Sequence, residues 1–316
     1  MKKILRGVCL MGVVALLATS CNKNKETATI TTVNQEMEVV AGEWNDGEKV
    51  QLNPSNNQLY FEEGDLLTLF RIAEGEASTY ADYTPALTQV DNTTWTPVGE
   101  ALAEGGDLYA FCPGGSSYIT PNLANENRAT FKVPAMQNYR ENTCPTEGFF
   151  MASKLEAGQT AFYFRNICGL LWLKLYSPNN RVVKSIVVTD KKGHHLSGDV
   201  TLKIDKVNPT TLTSLYRNYS DTNPSYAQTL AAYIEESGYE VANAGSTMTL
   251  NCGDGVQIGT TSGTATSFYM TLRPLALRGG FDVTISGDDW SYTMSTTKNN
   301  IIGPSVIKKM PALNVQ

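Results

Sequence analysis

Histidine is nearly absent from this chain. Two occur in 316 residues, and they are neighbours, His194 and His195, in the turn-like text Lys191-Lys192-Gly193-His194-His195. Neighbouring side chains on a strand point to opposite faces, so the pair does not readily converge on one metal or one proton. Cysteine is sparse too, with six residues and no CxxC pair. Setting aside Cys9 and Cys21, the spacings along Cys112, Cys144, Cys168 and Cys252 are 32, 24 and 84 residues, which match no metal-site signature. Cys168 and Cys252 lie in apolar strand-like text, where a small buried thiol is the simplest reading; outside the cytosol one disulfide remains open. No GxSxG, HExxH, Walker or GxGxxG pattern stands in a context that gives it meaning. The residues therefore offer no catalytic constellation, no metal set and no cofactor site.

Positive charge is also scarce where it would matter. The net charge is −6, with 25 Lys+Arg against 31 Asp+Glu. Residues 22–157 carry 8 against 20, net −12, and residues 158–316 carry 14 against 11, net +3. A nucleic-acid partner is unsupported by this balance. Acidic turns occur at Asp254, within Asn251-Cys252-Gly253-Asp254-Gly255, and at Asp288-Asp289; two or three carboxylates without an organised loop read as turns before they read as a calcium site. Of Trp44, Trp95, Trp172 and Trp290, Trp172 reads as core, and Trp95 and Trp290 are the ones worth testing as a sugar-stacking face, with burial the simpler account of each.

What the chain does have is β-text. The run Phe162–Tyr176 (FYFRNICGLLWLKLY) is its longest strongly apolar stretch after the first twenty residues, and it reads as a buried strand with a bend or bulge at Gly169. Val182–Thr189 follows a Ser-Pro-Asn-Asn-Arg turn and predicts a hairpin with it; Gly198–Asp205 alternates like a half-buried strand and would complete the centre of one sheet. Upstream, Leu66–Ile72, Tyr80–Tyr83, Leu108–Cys112, Phe131–Pro134 and Phe149–Ala152 give a rhythm of short strands and turns. Ala28–Val40 alternates weakly and predicts an edge strand. Downstream, strands are expected at Thr247–Asn251, Ser267–Pro274, Phe281–Ser286, Trp290–Ser295 and Val306–Met310, with Gly287-Asp288-Asp289 as a hairpin turn. One helix is expected, capped by Asn223, with Pro224 at its first position, Tyr226, Leu230, Tyr233 and Ile234 on one face, and Gly238 as its stop. The fold class is all-β, as two tandem sandwiches with at most one or two short helices, divided into residues 28–157 and 158–316.

The start of the chain is an address. Lys2, Lys3 and Arg6 precede the apolar Val8–Leu17, about half the length of a membrane span, so residues 1–20 read as a signal peptide. Leu16-Leu17-Ala18-Thr19-Ser20-Cys21, followed by the polar Asn22–Glu26, resembles the lipobox of bacterial lipoproteins. That resemblance implies that Cys21 is the lipidation site and first mature residue, with residues 21–27 as its tether; the alternative is a secretory peptide cut beside a cysteine.

The lipobox, together with FEEGDLLTLF (Phe61–Phe70), FRNICGLLWLKL (Phe164–Leu175), VKSIVVTD…LSGDVTL (Val183–Leu202) and the tail FDVTISGDDWSYTMSTTK…KKMPAL, resembles the fimbrillin family, lipoproteins that build, cap or anchor surface pili of anaerobic Gram-negative bacteria. The resemblance implies transthyretin-like sandwiches, lipid anchorage in the outer membrane with surface exposure or incorporation in fimbriae, and pilus-subunit partners joined by strand donation, in which backbone hydrogen bonds supply affinity and side-chain pockets supply register. It implies a structural or accessory tip or anchor role in adhesion rather than an enzyme; the alternative is a non-polymerising surface lipoprotein that binds glycans or host proteins. In the family an arginine-specific protease typically removes the leader and first strand. Here no arginine lies between Arg6 and Arg71, and Arg71 falls inside an apolar strand. The leader strand is therefore expected to remain, with Lys49 as the cut that would remove it and the tail near Ile301–Leu313 as the strand available for donation.

Overall fold

The computed structural model describes residues 66–316 apart from 90–91, 104, 125, 142–143, 146–147, 156–161, 163, 209–210, 213, 216–217 and 220–222. The expected signal peptide, Cys21, Trp44, Lys49 and the expected Ala28–Val40 strand lie outside the described residues. The chain is all-β, as expected. Sheet A runs in the order β3 (Asn92–Pro97), β2 (Thr79–Gln89), β1 (Leu67–Ile72), β4 (Asp107–Cys112), β8 (Met151–Leu155) and β9 (Arg165–Asn166). Sheet B runs β13 (Glu240–Gly245), β12 (Ser197–Lys203), β6 (Arg128–Val133), β5 (Ile119–Asn122). Sheet C runs β18 (Ser291–Ser295), β17 (Phe281–Ser286), β11 (Val182–Asp190), β14 (Thr247–Gln257), β7 (Met136–Asn138). In sheet D, β10 (Gly169–Tyr176) pairs with β15 (Thr266–Leu272) on one side and with β20 (Ile307–Lys309) and β21 (Leu313–Asn314) on the other. A small fifth sheet joins β16 (Leu275–Leu277) to β19 (Asn300–Ile302).

The two most apolar strands are those buried on both faces. In β1, Phe70 belongs to the larger core cluster, whereas Leu67 and Leu69 belong to a second one. In β10, Leu171, Leu173 and Leu175 face the larger cluster, and Leu170 and Trp172 the second. Two-sided burial removes the polar alternation that marks a half-exposed strand. By contrast β12 and β17 alternate buried and half-buried residues along most of their length. The second cluster joins Leu67, Leu69, Tyr83 and Ala110 of sheet A to Leu170, Trp172 and Tyr269 of sheet D, so these two sheets meet face to face. Sheet A's other face meets sheet B, as the Phe131 and Phe150 rings at 4.5 Å illustrate. Sheet D's other face meets sheet C, where the Tyr139 ring, just past β7, lies 5.1 Å from that of Phe268.

The organising stretch behaves as expected up to its end and then departs. It bends at Ile167–Cys168, and β10 opens on Gly169, where an added Cβ would lie 2.5 Å from the Gly303 carbonyl oxygen. The expected hairpin with Val182–Asp190 does not form. β10 belongs to sheet D, β11 to sheet C and β12 to sheet B, so three consecutive strands sit in three sheets. The turn at 177–181 carries the chain between layers instead, held by Ser177 N–H donating to the Gly259 carbonyl at 2.8 Å. Local turn chemistry is compatible with either connection; what decides is that β10 must be covered on both faces and pairs laterally with strands far along the chain.

Hydrogen bonding also crosses the expected division at residue 157. β6 pairs with β12 over six positions, and β7 lies parallel on β14 over three. The helix is where it was expected. α1 (Pro224–Glu236) is capped by the Asn223 side chain, which accepts from Ser225 N–H, and it buries Tyr226, Leu230 and Tyr233. The hairpin of β17 and β18 also forms, with Gly287 N–H donating to the Trp290 carbonyl at 3.0 Å.

Candidate functional site

The tail forms one edge of sheet D. After β19, whose Ile301 and Ile302 are buried, the chain turns and runs parallel to β10. Leu170 N–H donates to the Val306 carbonyl at 2.8 Å, and β20 then pairs Ile307–Lys309 with Leu170–Trp172. Met310 N–H donates to Trp172 at 2.9 Å before Pro311, which has no donor, interrupts the ladder. Pairing resumes at Leu313–Asn314 and ends with Val315 N–H on the Tyr176 carbonyl at 2.8 Å. Val306 and Val315 are buried pegs at the two ends, while Lys309, Pro311 and Ala312 between them are exposed. The tail is thus an edge strand in two short pieces. Ile301, at one end of the segment expected to be donated, belongs instead to the buried β19.

On the opposite edge of sheet D, a side chain pairs with the backbone of Thr271. Gln137 of β7, fully buried, donates from Nε2 to the Thr271 carbonyl at 2.7 Å and accepts from Thr271 N–H on Oε1 at 2.8 Å. A carboxamide has the donor and acceptor of a peptide unit, so Gln137 stands in for a neighbouring strand along β15.

His194 Nδ1 lies 2.9 Å from Asp190 Oδ2, which also accepts from Lys192 N–H at 2.8 Å and His194 N–H at 2.7 Å. The exposed His195 offers its backbone carbonyl to Arg273 Nε at 2.6 Å. The acidic turns do come together, but around a lysine: Lys184 Nζ lies 2.7 Å from the Asp254 carbonyl and 3.6 Å from Asp288 Oδ1. An ammonium thus sits between the two acidic turns. Among the described residues no group of three or more His, Cys, Asp or Glu could hold a metal ion.

Trp172 is core, stacked on Tyr269 at 5.4 Å, with Lys174 and Lys309 over its ring at 4.8 and 4.6 Å. Trp290 packs against the main cluster and takes the Arg181 guanidinium at 5.0 Å over its ring. All four later cysteines are buried, and burial pushes the Cys168 and Cys252 thiols up to about 12. Arg71 is 5% exposed, with Nε on the Gly105 carbonyl at 2.7 Å and Nη2 on Glu76 at 2.8 Å. It is inaccessible in the folded chain, as its position in an apolar strand implied. Sequence reasoning passed over Gln137; a lone glutamine between Met136 and Asn138 gives no local sign of its partner 134 residues away.

No family model matches the chain, and no curated protein is detectably similar in sequence. Among solved structures it is similar to a candidate cell adhesion protein from Bacteroides uniformis, with a TM-score of 0.46, 13% identity and coverage of 80% of this chain and 88% of that one. A candidate cell adhesion protein from Bacteroides ovatus gives 0.46 and 10%, over 80% and 84%. A fimbrial protein from Bacteroides ovatus gives 0.35 and 12%, over 82% of this chain and 46% of that one.

Proposed function

We propose that this chain is a fimbrillin-like, lipid-anchored surface protein, a structural or accessory pilus subunit without enzymatic activity that assembles by strand exchange and supports adhesion. The observation that carries the proposal is the tail. A strand that lies parallel on a sheet edge, is split by Pro311, and is pegged by Val306 and Val315 can leave its own β10 and reach another copy, whose β10 and core would receive the same Val315 and Leu313 contacts in exchange. Such an exchange replaces one set of backbone hydrogen bonds with an identical set, so register is kept and the free-energy difference between the closed and exchanged states is small. On the opposite edge of sheet D the Gln137 carboxamide occupies the Thr271 backbone. Lipidation of Cys21 would hold the subunit at the outer membrane.

The test uses the register itself. Tyr176 and Asn314 are direct partners, so the pair Tyr176→Cys and Asn314→Cys places two thiols across the tail–β10 contact. In sheared surface material, disulfide-linked multimers are expected under oxidising conditions. Crosslinks found only within single chains would show that the tail stays at home, and the strand-exchange role would fall.

A further inference from the structure

Three loops separated by about eighty or more residues in two of their three spacings meet and gather cations without carboxylates to match. The first is the turn after β11, with Lys191, Lys192 and His195; the second is the stretch from Arg273 through Arg278 to Gly280; the third is the link between β18 and β19, with Lys298. They are knitted together at stated atoms. Lys191 N–H donates to the Gly280 carbonyl at 3.3 Å, Gly279 N–H to Asn299 Oδ1 at 2.9 Å, and Arg273 Nε to the His195 carbonyl at 2.6 Å. The Lys192 stem lies over Gly279, where an added Cβ would come 2.8 Å from its Cε. Lys192, Arg278 and Lys298 are exposed, and none of them, nor Arg273, has a carboxylate partner among the described residues. The nearby carboxylates are already engaged: Asp190 is buried within its own turn, and Asp282 takes Lys191 at 3.3 Å.

The first half of the chain presents the opposite sign. The turn after β1 and the loop before β4 lie together, since Arg71 of β1 donates to the Gly105 carbonyl and pairs with Glu76. They expose Glu74, Glu76, Glu100 and Asp107. The cations beside them are spent, Arg71 on Glu76 and Lys154 on Asp107. Glu74 and Glu100 have no ion-pair partner among the described residues.

We infer that the basic loop cluster of one copy docks on the acidic loop pair of a second copy, Lys192, Arg278 and Lys298 facing Glu74 and Glu100. The partner is a second copy because the matching charge is carried by the chain itself, on the exposed Glu74 and Glu100. A contact between two different patches is heterologous, and repeats along a line when its rotation does not close a ring. Complementary rims of this kind steer encounter and fix orientation, leaving cohesion to another contact. The inference rests on the reading of this chain as a fibre subunit, and adds which ends meet.

Sedimentation velocity of the full mature lipoprotein in detergent tests it. Self-association is expected at 20 mM salt and is expected to weaken steadily toward 300 mM, where screening shortens the reach of exposed charges to less than about 8 Å. Lys192→Glu with Arg278→Glu, or Glu74→Lys with Glu100→Lys, should each weaken it about tenfold or more, and an equimolar mixture of the two variants should recover it, because each supplies the end the other lacks. Absence of wild-type association at low salt, or association unchanged by both reversals, would overturn the inference. So would a Lys192→Glu/Arg278→Glu variant that loses only its retention on dextran sulfate, since the basic cluster would then serve an acidic polysaccharide. Crosslinks confined to single chains at Tyr176 and Asn314, alongside salt-sensitive association that charge reversal abolishes, would remove strand exchange and leave this interface standing.

Discussion

The Gln137 carboxamide and the Thr271 backbone form a two-point pair, Nε2 to the carbonyl at 2.7 Å and N–H to Oε1 at 2.8 Å, on the edge of β15 that faces away from β10. Gln137→Leu keeps much of the volume and leaves a buried N–H and C=O unpaired. Each costs about 1–3 kcal/mol, so a loss of roughly 2–5 kcal/mol in urea unfolding is expected. Gln137→Glu should be at least as harmful near neutral pH, since a carboxylate cannot donate to the Thr271 carbonyl. A loss below about 0.5 kcal/mol for both would mean that water or a rearranged edge satisfies Thr271.

Asp190 holds the turn that presents Lys191 and Lys192. Its Oδ2 gathers two backbone N–H groups and the His194 ring. Asp190→Ala is expected to lower Tm by several degrees, at about 2–4 °C per kcal/mol for a chain of this size. Asp190→Asn, which keeps an acceptor, should lower it less. Equal losses would assign the effect to the buried charge rather than to the hydrogen bonds.

The cluster around Arg128 sets a pH dependence. Arg128 reaches Glu126 at 2.9 Å and Glu240 at 2.7 Å, and Lys203 also reaches Glu126 at 3.1 Å. The hydrogen bond from Arg128, followed by that from Lys203, holds the Glu126 carboxyl below its ordinary value. A carboxyl lowered by folding contributes stability above its unfolded pKa and loses it as pH falls through the folded one. The acid limb of the stability profile, below about pH 4.5, should therefore be shallower in Arg128→Gln than in the wild type. Parallel limbs in chemical denaturation at several pH values would rule this cluster out as a contributor.

Raised thiols do not react. With Cys168 and Cys252 buried and pushed up to about 12, little thiolate is present at pH 8 even before access is considered. Native protein treated with a disulfide reagent at pH 8 should leave both unlabelled, with full labelling on unfolding. Rapid native labelling of either, mapped by peptide mass, would show that this part of the core opens.

Maturation follows from arginine placement. With Arg71 at 5% exposure, a limited digest of the folded protein with an arginine-specific protease should leave the chain uncut at Arg71. The surface protein is expected to begin at an acylated Cys21, and Cys21→Ser should move it out of the detergent phase in partitioning. A surface protein that begins at Val50 would instead make it a subunit whose leader strand is removed at Lys49.

Much of the architecture was legible because it depends on local physics. Alternation in Gly198–Asp205 reports one covered face, the continuous apolar text of β1 and β10 reports two, and Asn223-Pro224 with Gly238 punctuates a helix whose buried face recurs at helical spacing. The two histidines on a tight turn were legible as structural for the same reason. What only the tertiary structure decided is pairing at long range. Nothing near Tyr176 distinguishes a hairpin with Val182 from an arch into another sheet, because the same turn residues serve both; the choice is made by Thr266–Leu272 and by the tail, which cover β10's two edges. Gln137 meeting Thr271, Lys184 set between two acidic turns, and three loops pooling their cations are of the same kind. Each is a juxtaposition of residues far apart in sequence, fixed when apolar faces are buried and every backbone edge must find a partner.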